Sequence, residues 1–500
     1  MSEADGISLS RETFGGTAAQ FTMAAVGFAG TVIFARWLGP ATFGGVYLLF
    51  AVAKIADRPM NGWSLAAKKR LSESDSLRPP AFGAQLLFNA FWVALAVLAV
   101  LVAGDALRAY TGLALAPVLL VLLLATESMY ETIESLVQGR GRISAATWND
   151  TLRSVLTLPL QLWFVALPGI AGAGMVYGLA VASALTLPVI ALFVSARPAI
   201  PSRTFLRSLG DYARYSVPTS VLGTTYDRLD VLLLGFLLGS ASAGFYEVAW
   251  KLTLPAVFVA DVAGRGLMAT VSARHARSGD GEGNENENGN ESGNRNERGI
   301  GRDVSNTIAY AGILAVPIFF GSLALAESLV VTVYGPDFRN AAPLLIGLAG
   351  YRVVRSQSGP LVQAINGLDR PDVAMRLSAV AVAVNLVLGV LLTLRLGPIG
   401  VVIATIVAET LVYLGGFHFL RQTVSGLVPI SRPMVEQVGA GLAMFAVVST
   451  ARASISVQSW VDLGVLVSVG GVVYVGLLLA VSPGVRHTLE EAVRGSFPSL

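Results

Sequence analysis

The chain contains no cysteine, only four lysines and three histidines, and its Asp, Glu, Lys and Arg together make up just 13% of 500 residues. Without cysteine, neither a disulfide framework nor a thiolate metal site can form. His275, His418 and His487 stand too far apart for any metal-ligand spacing, so each is read as an interfacial side chain and no metal is expected. No phosphate-cradling loop of the Walker type is present; Gly172-x-Gly174 leads into a membrane helix, so no nucleotide-driven cycle and no cofactor are expected. The N-terminal MSEADGISLSRE is polar and acidic, without the basic start and small-residue cleavage pattern of a secretory signal. Soluble domains carry roughly 25% charged residues. A chain this poor in charge, with mean hydropathy +0.65, has more apolar surface than a water-soluble fold can hide. The net charge of +3 does not point to nucleic acid, because the cations sit in connections between apolar runs.

What the chain does have is apolar residues, 54% of the total, in runs that recur from Phe14 to Val481. About 20 helical residues cross a hydrocarbon core of about 30 Å. On that criterion fourteen spans are expected, the first at 13–35 and the last at 459–481. With the N-terminus inside, Arg11, Lys68, Lys69, Arg70, Arg78, Arg140, Arg142, Arg203 and Arg207 fall in inside connections, whereas only Arg36, Arg108, Arg339, Arg395 and Arg452 fall outside. Lys and Arg collect on the cytoplasmic side of membrane proteins, so both termini are expected to be cytoplasmic, in a multi-pass protein of the plasma membrane. The fold class expected is an all-α polytopic membrane protein.

Self-similarity divides the chain further. Leu38-Gly39-x4-Gly44, with Tyr47 beyond, resembles Leu238-Gly239-x4-Gly244 with Tyr246, at an offset of 200. Gly139-x-x-Arg142 resembles Gly367-x-x-Arg370, and Gly169-x-x-Gly172 resembles Gly397-x-x-Gly400, both at an offset of 228. The difference between the two offsets is assigned to an Asn/Glu/Gly-rich stretch at 277–302, too polar to offset its ordering entropy by burial and so expected to be a disordered cytoplasmic loop. The expected organisation is two pseudo-symmetric six-helix bundles, 10–197 and 198–425, then two extra helices at 434–482 and a cytoplasmic tail at 483–500.

Ionisable groups at bilayer depth are costly unless they face a cavity or a partner, so they mark candidate sites. The second span carries Lys54, Asp57 and Arg58, with the two cations one turn apart and suited to a phosphate; snorkelling to the headgroups is the competing reading of Arg58. The fourth carries Glu127, Glu131 and Glu134, whose spacing places them on one helical face and implies one aqueous stripe. The seventh carries Asp227, Arg228 and Asp230, read either as a cluster that neutralises itself or as a gate. The tenth carries Arg352 and Arg355, nearly one turn apart; the larger of the two offsets maps Glu127 onto Arg355, so equivalent positions bear opposite charge. Substrate contact and structural pairing both account for this. Arg153, Lys251 and Glu409 stay open between the two readings.

Four motifs taken in order resemble a family. They are Arg36-Trp37-Leu38-Gly39-x4-Gly44, Tyr215-Ser216-Val217-Pro218, Asp230-x4-Gly235-x3-Gly239-x4-Gly244-x-Tyr246 and Val333-Tyr334-Gly335-x-Asp337-Phe338. Over residues 10 to 425 the chain resembles the polysaccharide-export flippases of the multidrug/oligosaccharidyl-lipid/polysaccharide superfamily. The resemblance implies two bundles that rock between inward- and outward-open states around a lipid-linked glycan on undecaprenyl or dolichol phosphate or pyrophosphate. It also implies a monomer, no catalytic residue, and possible coupling to H+ or Na+. Joined to the charges above, it makes Lys54, Arg58, Arg228, Arg352 and Arg355 candidate substrate contacts, and Asp57, Glu127, Glu131, Asp227, Asp230 and Glu409 candidate coupling or gating groups. Two other readings are carried with it: a cation-coupled drug exporter of the same architecture, favoured by the glutamate stripe, and a membrane polysaccharide polymerase or ligase, disfavoured by the short outside connections.

Overall fold

A computed structural model of the chain describes residues 3–279, 288–455, 457–483 and 486. Nearly all of them are helical, and no strand occurs among the described residues. In hydrocarbon each backbone N–H and C=O needs an internal partner, and only a helix or a closed barrel supplies one for every residue. Runs such as Ala173–Val194 (α7) and Trp460–Val481 (α17) meet that demand with side chains that are mostly apolar. Prolines open α2 (Arg58–Glu73), α3 (Arg78–Thr111), α4 (Ala116–Leu123) and α13 (Ala342–Gly367), where the missing N–H costs nothing.

Ten helical stretches of 22 to 37 residues are apolar enough to cross a membrane by composition. Three further long helices fall short of that threshold: α6 (Ile143–Ala166), α8 (Arg203–Leu238) and α13. They carry Arg153, the Asp227/Arg228/Asp230 cluster and the Arg352/Arg355 pair, whereas the stretch Ala116–Gly139 stays apolar enough despite Glu127, Glu131 and Glu134. Inside α1 (Glu3–Ala56) the backbone leaves helical geometry at Gly39, and the helix ends at Ala56, before Asp57 and Arg58-Pro59 open α2. Another span is wound as a π-helical turn over Leu124–Ser128 between α4 and α5 (Met129–Gly139), and another tightens to 3₁₀ over Leu254–Val257 between α9 (Ser240–Thr253) and α10 (Phe258–Gly279). Such irregular turns recur at functional sites.

Packing separates two compact units, Met1–Glu247 and Val248–Leu500. The duplication expected from the sequence would divide the chain between 197 and 198. The difference lies in α8, which packs within the first unit: a Cβ at Gly62 of α2 would come within 2.6 Å of the Val217 Cα, and the Ser216 hydroxyl donates to the Gly62 carbonyl at 2.7 Å. The repeated glycine motif shows itself in three dimensions here. Gly39 (φ 69°, ψ 170°) and Gly239 (φ 87°, ψ 175°) adopt the same backbone conformation, open to glycine and strained for other residues. Their turns meet reciprocally, since a Cβ at Gly44 would lie 1.8 Å from the Ser240 carbonyl oxygen and one at Gly244 would lie 2.3 Å from that of Pro40.

In the second unit, α16 (Arg432–Ser454) and α17 pack on α12 (Ala315–Tyr334) through Val316, Leu325, Met444, Val448, Leu466 and Tyr474. Two polar ties reinforce this: Gln437 donates to the Ala309 carbonyl and Arg452 to that of Ala324, each at 2.8 Å. Of the polar stretch expected to be disordered at 277–302, residues 280–287 lie outside the described residues. The remainder differs from that expectation: α10 runs to Gly279, and α11 (Asn288–Ala311) already begins at Asn288 because its later turns are anchored by the buried Ile300, Val304 and Ile308. The tail expected from 483 lies outside the described residues apart from Pro483 and Arg486. Leu101, Val102, Leu192, Phe236, Leu394 and Val472 are largely exposed, as side chains facing lipid are.

Candidate functional site

In the first unit, the charges of four elements converge. Lys54 lies in the last turn of α1, and one turn on the Arg58 Nε donates to the Lys54 carbonyl at 2.8 Å and to Asp57 Oδ1 at 2.7 Å. Asp57 is 1% exposed and also accepts from the Ser128 hydroxyl at 3.2 Å. Lys54 pairs with Glu131, with Asp57 at 3.7 Å and with Glu127 at 3.8 Å; the Arg58 guanidinium reaches Glu131 at 3.7 Å. Glu127 in turn pairs with Arg153 and accepts from the Ser183 hydroxyl of α7 at 2.8 Å. Arg153 is completed by Asp150 at 2.7 Å and by the Tyr130 ring, 4.6 Å from its guanidinium carbon.

Four carboxylates thus enclose three cations. Removing several charges from water costs several kcal/mol each unless geometry returns it, and here every described member has a partner of opposite sign. The glutamates expected to form one aqueous stripe are divided instead. Glu127 reaches α6 and α7 as well as Lys54, Glu131 faces Lys54 and Arg58, and Glu134 accepts from Gln138 at 3.0 Å. An uncharged ladder lies beside them: Gln85 donates to Asn89 at 2.7 Å and Asn89 to Thr132 at 2.8 Å, all three buried. A search for charge alone misses such a ladder.

The second unit holds the arginine pair. Arg352 is 5% exposed; its guanidinium lies 3.8 Å over the Trp250 ring, and its Nε donates to the Thr253 hydroxyl at 3.2 Å. Arg355 turns to Glu409 of α15 (Ile399–Thr423) at 3.1 Å, and the fully buried Glu409 also accepts from Ser358. The two arginines share a helix but not a partner, because a three-residue step leaves them about 60° apart around the axis. Equivalent positions with opposite charge, Glu127 and Arg355, are each answered by a counter-charge in their own unit. Of the cluster on α8, Asp230 is buried and accepts from the Tyr246 hydroxyl at 2.8 Å, Arg228 is half-buried and Asp227 is exposed. Tyr246 closes the last-but-one of the resembling motifs, and its spacing from Asp230 was the available signal for that bond. Trp250, Thr253, Ser183 and Ser358 carried none.

A family model described as "Polysaccharide biosynthesis protein" matches residues 9–265. The chain belongs to the polysaccharide biosynthesis protein family. Relatives of this family member extend over nearly its whole length. It is 25% identical over 467 residues to a "probable low-salt glycan biosynthesis flippase" of Haloferax volcanii, covering 92% of this chain and 93% of the relative. It is also 25% identical over 486 residues to a "probable flippase AglR" of the same organism, covering 96% and 97%. Among solved structures it resembles lipid II flippase MurJ in an inward closed conformation, with TM-score 0.73 and 14% identity over 93% of this chain and 98% of the other. It also resembles an inward-facing multidrug resistance transporter of the MATE family, with TM-score 0.58 and 16% identity over 81% and 96%. At these identities the structures show a shared fold. This polysaccharide biosynthesis protein is therefore an all-α membrane protein that shares its fold with these two structures.

Proposed function

We propose that the chain is a flippase that moves a lipid-linked oligosaccharide or polysaccharide precursor across the cytoplasmic membrane by alternating access, and not an enzyme. The observation that carries the reading is the end-to-end similarity to two proteins named as flippases, one of them for glycan biosynthesis. The family match and the fold shared with a lipid II flippase support it. The cargo class is an anionic phosphate or diphosphate bearing a glycan, with its polyprenyl tail left in the bilayer.

The ion pairs fit such a cargo in a specific way. A diphosphate competes with carboxylates for the same guanidinium and ammonium donors. Lys54, Arg58, Arg228, Arg352 and Arg355 serve as the cations offered to it; Asp57, Glu127, Glu131 and Glu409 hold Lys54, Arg58 and Arg355 when no cargo is present, and Asp227 and Asp230 act as gating groups. The exchange assists transport only if affinity differs between the two end states. Carboxylate partners that re-form after release supply that difference.

The direct test is complementation of a Haloferax volcanii strain lacking its low-salt glycan flippase. Expression of this chain is expected to restore the glycan and to lower the accumulated lipid-linked precursor. A chain that is abundant in the membrane yet leaves the precursor pool unchanged, there and in a deletion strain of its own host, counts against the reading.

A further inference from the structure

Away from the ion-pair network, a cavity of about 690 Å³ opens between α2, the turn after α5, and α8. Its charged lining consists of Lys68, Lys69 and Arg140, and no Asp or Glu lines it among the described residues. Half of the chain's four lysines stand here, side by side in a sequence that otherwise prefers arginine. Each cation is held in place by an uncharged neighbour. Lys68 donates to Gln138 Oε1 at 3.0 Å, Lys69 lies 4.8 Å over the Tyr212 ring, and Arg140 donates to the carbonyls of Phe193 and Val194 at 2.6 and 2.8 Å. The adjacent carboxylates are engaged elsewhere, Glu73 by Arg70 at 3.0 Å and Glu134 by the amide of Gln138 at 3.0 Å. Gly139 makes the cluster possible: a Cβ there would meet Lys68 Cγ at 2.9 Å and its carbonyl oxygen at 3.0 Å, so only glycine lets the end of α5 rest on the α2 backbone. Gly139 is also the first residue of the repeated Gly-x-x-Arg motif, which the transport reading leaves without a role.

We propose that this cavity is a binding site for a phosphate-bearing headgroup, separate from the ion pairs assigned to the cargo. Two adjacent lysines and an arginine, in a lining that holds no carboxylate, create a local positive potential that favours an anion. Ammonium groups suit a phosphate as point charges, and a basic pocket at the cytoplasmic ends of membrane helices is where anionic headgroups concentrate. The cavity volume falls within the range of small-ligand sites, roughly 300–1,000 Å³. The same chemistry is offered by an anionic phospholipid of the inner leaflet and by a free diphosphate, and the experiment separates them.

The full chain, purified free of anionic lipid, is titrated with inorganic pyrophosphate in detergent, and separately placed in nanodiscs of phosphatidylcholine with or without phosphatidylglycerol. Native mass spectrometry reads the bound headgroup, and the melting temperature reads stabilisation. Each lysine near an anionic headgroup contributes about 1 kcal/mol, or roughly fivefold in affinity. The double variant Lys68→Gln/Lys69→Gln is therefore expected to lose about thirtyfold, while Lys68→Arg/Lys69→Arg retains binding. Arg339→Gln, on the opposite membrane face by the charge pattern, controls for overall charge. Loss of both ligands in the double variant assigns the site to phosphate in general, and loss of phosphatidylglycerol alone assigns it to the lipid. A double variant that is monodisperse and binds both probes as tightly as Arg339→Gln overturns the proposal. The readout needs no translocation, so failure here leaves the flippase reading intact, and failed complementation leaves this site intact.

Discussion

At the scale of single residues, the buried charges behave as a network in which every group depends on the next. Breaking one partner of a buried pair costs about 3–5 kcal/mol because the other is left uncompensated. Glu127→Ala leaves Arg153 with Asp150 as its paired carboxylate and removes one neighbour of Lys54, so a loss below that range is expected, read as a lower unfolding midpoint in detergent. The double variant Glu127→Leu/Arg153→Met is expected to recover part of it, since apolar substitutes of similar volume often replace buried pairs at little cost. Arg355 separates stability from transport. Arg355→Gln removes an ion-pair partner of the fully buried Glu409, and adding Glu409→Gln is expected to restore the melting temperature while lipid-linked precursor still accumulates. Normal precursor levels in that stable double variant would remove Arg355 from the cargo contacts. The positions of these charges were legible in the sequence, because an ionisable group in an apolar run is conspicuous. Their partners were not. That Glu127 meets Arg153 as well as Lys54 depends on one π-helical turn, and such a turn shifts the facing of a side chain without leaving a residue signature.

At the scale of elements, glycine sets how closely helices approach. The reciprocal contact of the Gly39–Gly44 and Gly239–Gly244 turns leaves no room for a methyl group at either centre. Gly44→Ala is expected to push the two turns apart and favour states in which they are separated. The natural absence of cysteine makes this measurable: labelling of Ser240→Cys by a membrane-impermeant maleimide is expected to rise severalfold when Gly44→Ala is added. Unchanged labelling would show that the contact tolerates the methyl group by local adjustment. The motif was readable because glycine was needed twice at the same spacing. Its meaning as a face-to-face contact was not, since separation along the chain says nothing about distance in space. The α8 helix teaches the same lesson. Its sequence places it at the start of the second repeat, yet Gly62 and Ser216 pack it onto α2 in the first compact unit.

At the scale of the whole molecule, orientation follows from charge and is open to a direct check. Arg339→Cys is expected to react with an impermeant maleimide on intact cells, and Lys69→Cys only after permeabilisation; the reverse pattern would invert the proposed topology. The last two helices make a second whole-chain prediction. Truncation after Thr423 removes the partners of Val316, Phe320 and Leu325 on α12, and a drop in melting temperature and in yield is expected, read by fluorescence-detected size exclusion.

The sequence alone determined that this chain is a membrane-spanning helical protein, because hydrocarbon leaves the backbone so few solutions that apolar run length and loop charge suffice to state them. It also determined which side chains would be costly to bury. Only the tertiary structure decided how that cost is met, whether by Glu131 for Lys54, an indole ring for Arg352 or Glu409 for Arg355. A salt bridge or a cation over a ring is settled by a few ångströms and by the rotation of one helix against another, quantities that no spacing along the chain contains.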